Sequence, residues 1–256
     1  RSTQAKTLFP YTTLFRSEYS ASEVNRNILY NQVLPPFKAA VDTGIRSIMT
    51  SFNTIDGIPA TANQMLLRET LKNKWGFNGF VVSDWASIRE MIYWGYSPDE
   101  RSAAKSAVDA GTDMDMEGGI FVPHLVSLVQ NGQVKESLLD DAVRRILRVK
   151  FELGLFDDPY RFLDEKREKE VIGSKANREA VLDMAKKSIV LLKNEKQLLP
   201  LKKEGQKILL LGDLAASKNS PLGSWRIASD NNTAVSVLEG MQKYKGNSLK
   251  YEKGIA

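Results

Sequence analysis

"GFVVSDWASI", residues 79–88, sets a run of β-forming residues, Phe80-Val81-Val82, directly before a carboxylate and an indole, Asp84 and Trp85. A short apolar run of this kind, bounded by Gly79 and followed by helix-forming residues, reads as a strand buried on both faces. In parallel α/β folds the loops beyond the carboxyl ends of strands carry the reactive groups. Asp84 occupies such a position. Two readings follow from its chemistry: a nucleophile or base at the strand mouth, or an N-cap for the next helix, a role Asp also favours. Trp85 has the flat amphipathic surface that suits a sugar face, or it closes the end of the fold.

Working outward, the chain alternates strands with helices. "GIRSIMTSF", residues 44–52, reads as a short buried strand followed by a turn at Asp56-Gly57. "TANQMLLRETLKNKWG", residues 61–76, opens with Thr61 and Gln64 in capping-box spacing and closes at Gly76, with Lys72 and Lys74 in the last turn. Ser97-Pro98-Asp99-Glu100 reads as a cap, an N1 proline and an N3 acid. The helix it opens has Ala103, Ala104, Ala107 and Val108 on its inner side and stops at Gly111. "TDMDM", residues 112–116, is a third strand candidate. A helix from about Pro123 ends at Gly132. Another runs from about Ser137 to Leu153, with Leu139, Val143, Ile146 and Leu153 spaced for one apolar face.

Strand, helix, strand, helix without hairpin signals predicts parallel strands with helices outside. This fits the later part of a (β/α)8 barrel, and an open doubly wound sheet fits nearly as well. The polar stretch from Gly154 to Ser174 reads as a connection. A helix over 178–194 follows, then a parallel-type strand, "KILLLGDLA" (207–215), and a long loop, "NSPLGSWRIASDNN" (219–232), opening a second α/β unit. The expected organisation is a barrel portion over 18–158, a linker over 159–177 and the start of a sandwich domain over 178–256.

Composition narrows the chemistry. The 256 residues are 42% hydrophobic and 26% charged, an ordinary globular balance. Cysteine is absent and His124 is the single histidine, so thiolate or His-rich metal sites and Cys–His nucleophiles are excluded. Acid–base work falls to Asp and Glu. His124, at a helix start, reads as a surface or capping residue. Asp113 and Asp115 alternate along their strand; a D-x-D pair can hold a divalent ion in a nucleotide-sugar transferase, but polarity at a strand end is the better reading. "LLLGDLA" lacks the spacing of a phosphate loop. No run of about 18 apolar residues is present to span a membrane.

Residues 7–17, "TLFPYTTLFRS", look like the translation of a sequencing-library adapter, and residues 1–17 are set aside as a segment foreign to the fold. They carry Arg1, Lys6 and Arg16 and no acid; taking these three basic groups from the net +5 leaves +2. No basic stripe with interleaved aromatics remains, which removes the ground for nucleic-acid binding.

"MTSFNTIDGIPATAN" (49–63), "LKNKWGFNGFVVSDW" (71–85), "AVDAGTDMDM" (107–116), "LLDDAVRRILRVKFELGLFDDPY" (138–160) and "AKKSIVLLKNEKQLLPL" (185–201) occur in the order seen in family 3 glycoside hydrolases. The chain from about Glu18 to its last residue resembles the bacterial β-glucosidase branch. The resemblance implies a (β/α)8 barrel followed by an α/β sandwich, and a retaining mechanism on terminal β-linked glucose in oligosaccharides or β-glucosides, with no metal or cofactor and a periplasmic or secreted location. It makes Asp84 the nucleophile. Trp85 then lines the aglycone subsite, Met49 and Phe52 fall on the family's sugar-contacting M-x-x-Y, and Trp225 on a sandwich-domain tryptophan. Phe52 keeps a ring but lacks the hydroxyl, and Ser224 stands before Trp225 where the family has glycine. The resemblance puts the Arg and Lys-His residues that hold glucose upstream of this chain and the Glu acid/base beyond residue 256, so these residues alone are expected to be nearly inactive. A β-xylosidase, a non-catalytic sugar-binding homologue and, more weakly, an N-acetylhexosaminidase or a D-x-D glycosyltransferase are the competing expectations.

Overall fold

The structure, a computed structural model, describes residues 21–223, 226 and 229–254. The segment 1–17 and Trp225 lie outside the described residues. The chain is mixed α/β and divides into two compact units, one up to Glu165 and one from Lys166.

The first unit is built on parallel pairing. β2 (Ser47–Met49) lies beside β5 (Phe80–Val82), with Ser47 opposite Phe80 and Met49 opposite Val82. Met114 extends the ladder on the other side of β5 through a single parallel bridge to Val82. The strand expected over 112–116 is therefore reduced to one bridge. The strand expected over 44–52 is likewise only three residues long.

One hairpin interrupts the alternation, contrary to the expectation from sequence. β3 (Thr54–Ile55) and β4 (Ile58–Pro59) are antiparallel around Asp56-Gly57, whose φ values of 51° and 78° are those of a two-residue turn with both central residues left-handed. Asp-Gly is itself the hairpin signal. β1 (Ala21–Ser22) pairs with β3 in parallel.

Helices follow β4 and β5. The helix Met65–Lys74 is wound with i→i+5 bonds and ends at Gly76, φ 68°. Its amide cap is Asn63, whose Oδ1 accepts from Leu66 at 3.1 Å. Thr61, expected as the cap, is instead buried. α1 (Leu34–Asp42) precedes β2; α2 (Ser87–Tyr93) and α3 (Glu100–Ala110) follow β5. The cap of α3 is Asp99, accepting from Ser102 at 2.7 Å, two residues later than the expected Ser97. Ala103, Ala104, Ala107 and Val108 are buried as the spacing predicts, and they pack with Ile88, Met91, Ile120 and Leu128. Their small side chains let α2 and α4 (Phe121–Gln130) approach α3 closely.

α5 (Glu136–Glu152) turns the expected face inward only in part: Leu139 packs against the core and Ile146 is half-buried. Ala142 is buried, while Val143 and Leu153 are exposed. On the same helix Arg145 Nη1 donates to the carbonyls of Phe77 (2.6 Å) and Gly79 (2.9 Å), and Arg148 donates to Asn78. These bonds turn a guanidinium inward. Gly79 is required at this crossing, since a Cβ there would collide with the Arg46 carbonyl.

The stretch expected as linker contains a helix, α6 (Glu165–Val171), and α7 begins within it at Lys175 and ends at Ser188. In the second unit β6 (Glu204–Leu211) and β7 (Gly246–Glu252) pair in parallel across α8 (Val237–Gln242), which opens with a full capping box between Ser236 and Glu239. Among the described residues no helix is long and apolar enough to cross a membrane.

Candidate active site

Asp84 begins two residues past the end of β5, and Met49 ends the neighbouring strand at the same carboxyl edge. The turn 83–87 bears on the N-cap reading of Asp84. α2 starts at Ser87 behind Ala86, with no side-chain cap. The Asp84 carboxylate instead accepts the adjacent Trp85 N–H at 2.7 Å. An N-cap would accept from an amide two or three residues on. Asp84 is therefore half-buried at a strand mouth without capping the helix.

Trp85 beside it is 45% exposed and Met49 52% exposed, so both present apolar surface at this edge. Phe52 is buried, with 7% of its surface exposed. Its ring packs into the fold rather than standing open as Trp85 does.

Two polar groupings hold the turn, and neither was read from the sequence as part of the site. On one side Ser83 N–H donates to Met114 O (2.9 Å), Ser83 Oγ accepts from Met116 N–H (2.8 Å), and Ala86 N–H donates to Met116 O (2.9 Å). On the other, Asp84 N–H donates to Thr50 Oγ1 at 3.3 Å. Thr50 Oγ1 lies 2.9 Å from Thr61 Oγ1, which lies 3.0 Å from Ser87 Oγ. All three hydroxyl residues are buried. Their signal in sequence was faint: Ser and Thr at positions that the strand and helix patterns assign to the interior.

Beneath the strand, Lys72 and Asp113 form a buried ion pair, Nζ to Oδ1 at 2.6 Å, with both side chains 3% exposed. Lys72 is thus no surface charge in a last turn. Asp113 Oδ2 also accepts Val81 N–H at 2.8 Å, which fixes the centre of β5. Burial pushes the Asp113 carboxyl up and the Lys72 ammonium down, against the attraction between them. Asp115 Oδ2 accepts from Ile120 N–H at 2.6 Å, at the entry to α4. Both carboxylates of the D-x-D tripeptide are therefore engaged with backbone or lysine. Among the described residues no three His, Asp or Glu side chains gather as a metal site would require. His124 Nε2 stands 3.6 Å from Glu100 on α3, away from the turn.

Comparisons with known proteins match the chain at the level of whole domains. The glycosyl hydrolase family 3 N-terminal domain covers residues 11–149, and the family's C-terminal domain covers 189–254. The chain belongs to glycosyl hydrolase family 3. The family 3 match starts within the segment 1–17 set aside above. A periplasmic β-glucosidase of Salmonella typhimurium is 39% identical over 93% of this chain and 32% of its own length. A xylan 1,4-β-xylosidase of Xylanibacter ruminicola is 31% identical over 93% of the chain and 28% of its own. The crystal structure of a Listeria innocua β-glucosidase in complex with glucose superposes with a TM-score of 0.77 at 34% identity, covering 92% of this chain and 32% of that one. The chain spans about a third of the length of the relatives it matches.

Proposed function

We propose that this chain is part of a retaining β-glucosidase whose nucleophile is Asp84. In a retaining glycosidase one carboxylate attacks the anomeric carbon as a second acid protonates the departing oxygen, and water then releases the glycosyl ester. The observation that carries the reading is the Asp84 carboxylate at the carboxyl edge of β5, held by the Trp85 N–H and not engaged as a helix cap. Trp85 and Met49 supply apolar surface for the sugar and its aglycone, and Phe52 backs that edge from within. Residues 18–158 would form the C-terminal part of a (β/α)8 barrel and residues 178–256 the start of an α/β sandwich, with 159–177 between them. The acid/base glutamate and the glucose-holding Arg and Lys-His would come from the two thirds of the relatives' length that this chain does not span. The substrate class is a β-glucoside or short β-linked oligosaccharide, and the location periplasmic or secreted, as the Salmonella relative is named.

A fluorinated glucoside with a good leaving group tests this in the full-length enzyme. Mass spectrometry should find the trapped sugar on the peptide bearing Asp84, and a label on another carboxylate overturns the assignment. The xylosidase relative supports a second reading. Greater kcat/KM on an aryl xyloside than on the matching glucoside would favour it.

A further inference from the structure

We infer that Thr61 is a positioning residue for Asp84, acting through the buried string of hydroxyls that grips both ends of the turn 83–87; this rests on Asp84 being the nucleophile. The turn has a conformational problem. Ala86 stands at φ 55°, a left-handed conformation that costs a non-glycine residue about 1–2 kcal/mol unless its surroundings hold it. If the turn relaxed, Asp84 would move with it. Displacement of a reacting group by about 1 Å lowers rates by roughly 10²-fold.

The backbone of 114–116 holds the turn from one side only, at Ser83 and Ala86. On the opposite side Thr61 is the centre of the arrangement. It belongs neither to β5 nor to α2, but to the short helical turn Ala60–Ala62 that follows the hairpin. Its hydroxyl reaches Thr50, which accepts the Asp84 amide, and Ser87, the first residue of α2. A single atom thus ties the two ends of the turn together. Thr61 is itself anchored, since its carbonyl accepts from Thr112 Oγ1 at 2.9 Å. Thr61 and Thr112 are each 1% exposed, so bulk water is not at hand to replace a lost bond. A hydroxyl both donates and accepts, which lets the string run unbroken from Asp84 N–H to Ser87.

The test uses the full-length enzyme and an activated aryl glucoside, whose leaving group needs no protonation, so that glycosylation by Asp84 is read directly. Thr61→Val keeps the shape of the side chain and removes the hydroxyl. Its burst rate should fall about tenfold to a hundredfold, with KM within about twofold of wild type. Thr61→Ser keeps the hydroxyl and should recover most of the loss. A wild-type burst rate in Thr61→Val, or a Thr61→Ser variant as slow as the valine one, overturns the inference; the second outcome would mean that the methyl group matters and the hydrogen bonds do not. If Thr61→Val does not fold, Ser87→Ala cuts the string at its other end, where a several-fold slower burst supports the inference and an unchanged one overturns it. A trapped sugar found away from Asp84 in the wild-type enzyme would instead remove the nucleophile assignment. The two failures are therefore told apart.

Discussion

At Asp84 the sequence left two chemically sound alternatives, and the hydrogen bonding of the turn speaks against the cap. The carboxylate holds the Trp85 amide rather than an amide of α2. Replacing it with the isosteric amide should abolish attack on the anomeric carbon while leaving the turn intact. In the full-length enzyme, Asp84→Asn is expected to lower kcat by on the order of 10⁴-fold, measured with an aryl glucoside, at an unchanged melting temperature. Lys72 and Asp113 make the opposite prediction, a large effect on stability. Lys72→Met strands a buried carboxylate and should cost about 3–5 kcal/mol in chemical denaturation. Adding Asp113→Asn, which keeps an acceptor for Val81 N–H, should restore most of that loss; no recovery would mean that the pair is worth more than the desolvation it incurs. Neither residue announced this in the sequence. A lysine near a helix end and a D-x-D tripeptide each have a commoner surface reading, and only their proximity across 41 positions changes it.

At the level of elements, the start of α3 shows how local rules mislead by a residue or two. Ser97 and Asp99 are both good caps, and Pro98 between them suits the first turn of a helix begun at either. The structure caps with Asp99. The Ser102 amide bonds its ionised form, so the carboxyl sits below its ordinary value. For a depressed folded value the contribution is present above the unfolded pKa and is lost as pH falls through the folded one. Asp99→Asn keeps the acceptor without the charge. The stability difference between wild type and this variant, measured by denaturation at neutral pH, should therefore shrink towards zero below about pH 4. A difference that persists at acid pH would remove the charged cap from the account. α5 gives a related lesson: its apolar spacing was legible and Leu139 packs inward, but Val143 and Leu153 stand exposed while Arg145 reaches the carbonyls before β5.

At the scale of the molecule, apolar surface stands open in the second unit. Ile189, Val190 and Leu192 are 77%, 74% and 92% exposed in one continuous run. Such a patch promotes association. The chain expressed alone should self-associate on size-exclusion chromatography with light scattering, and Val190→Thr with Leu192→Lys should shift it towards monomer. A monodisperse monomer of the unaltered chain would contradict this.

What the residues determined unaided was the identity of the elements: the apolar run of β5, the alanine face of α3, the glycine stops and the family to which their order belongs. These are properties of neighbours in sequence, carried by periodicity and backbone preference. Which polar side chains are structural was decided only by tertiary packing. Thr50, Thr61 and Ser87, or Lys72 and Asp113, acquire their roles because folding removes them from water and brings them within reach of one another.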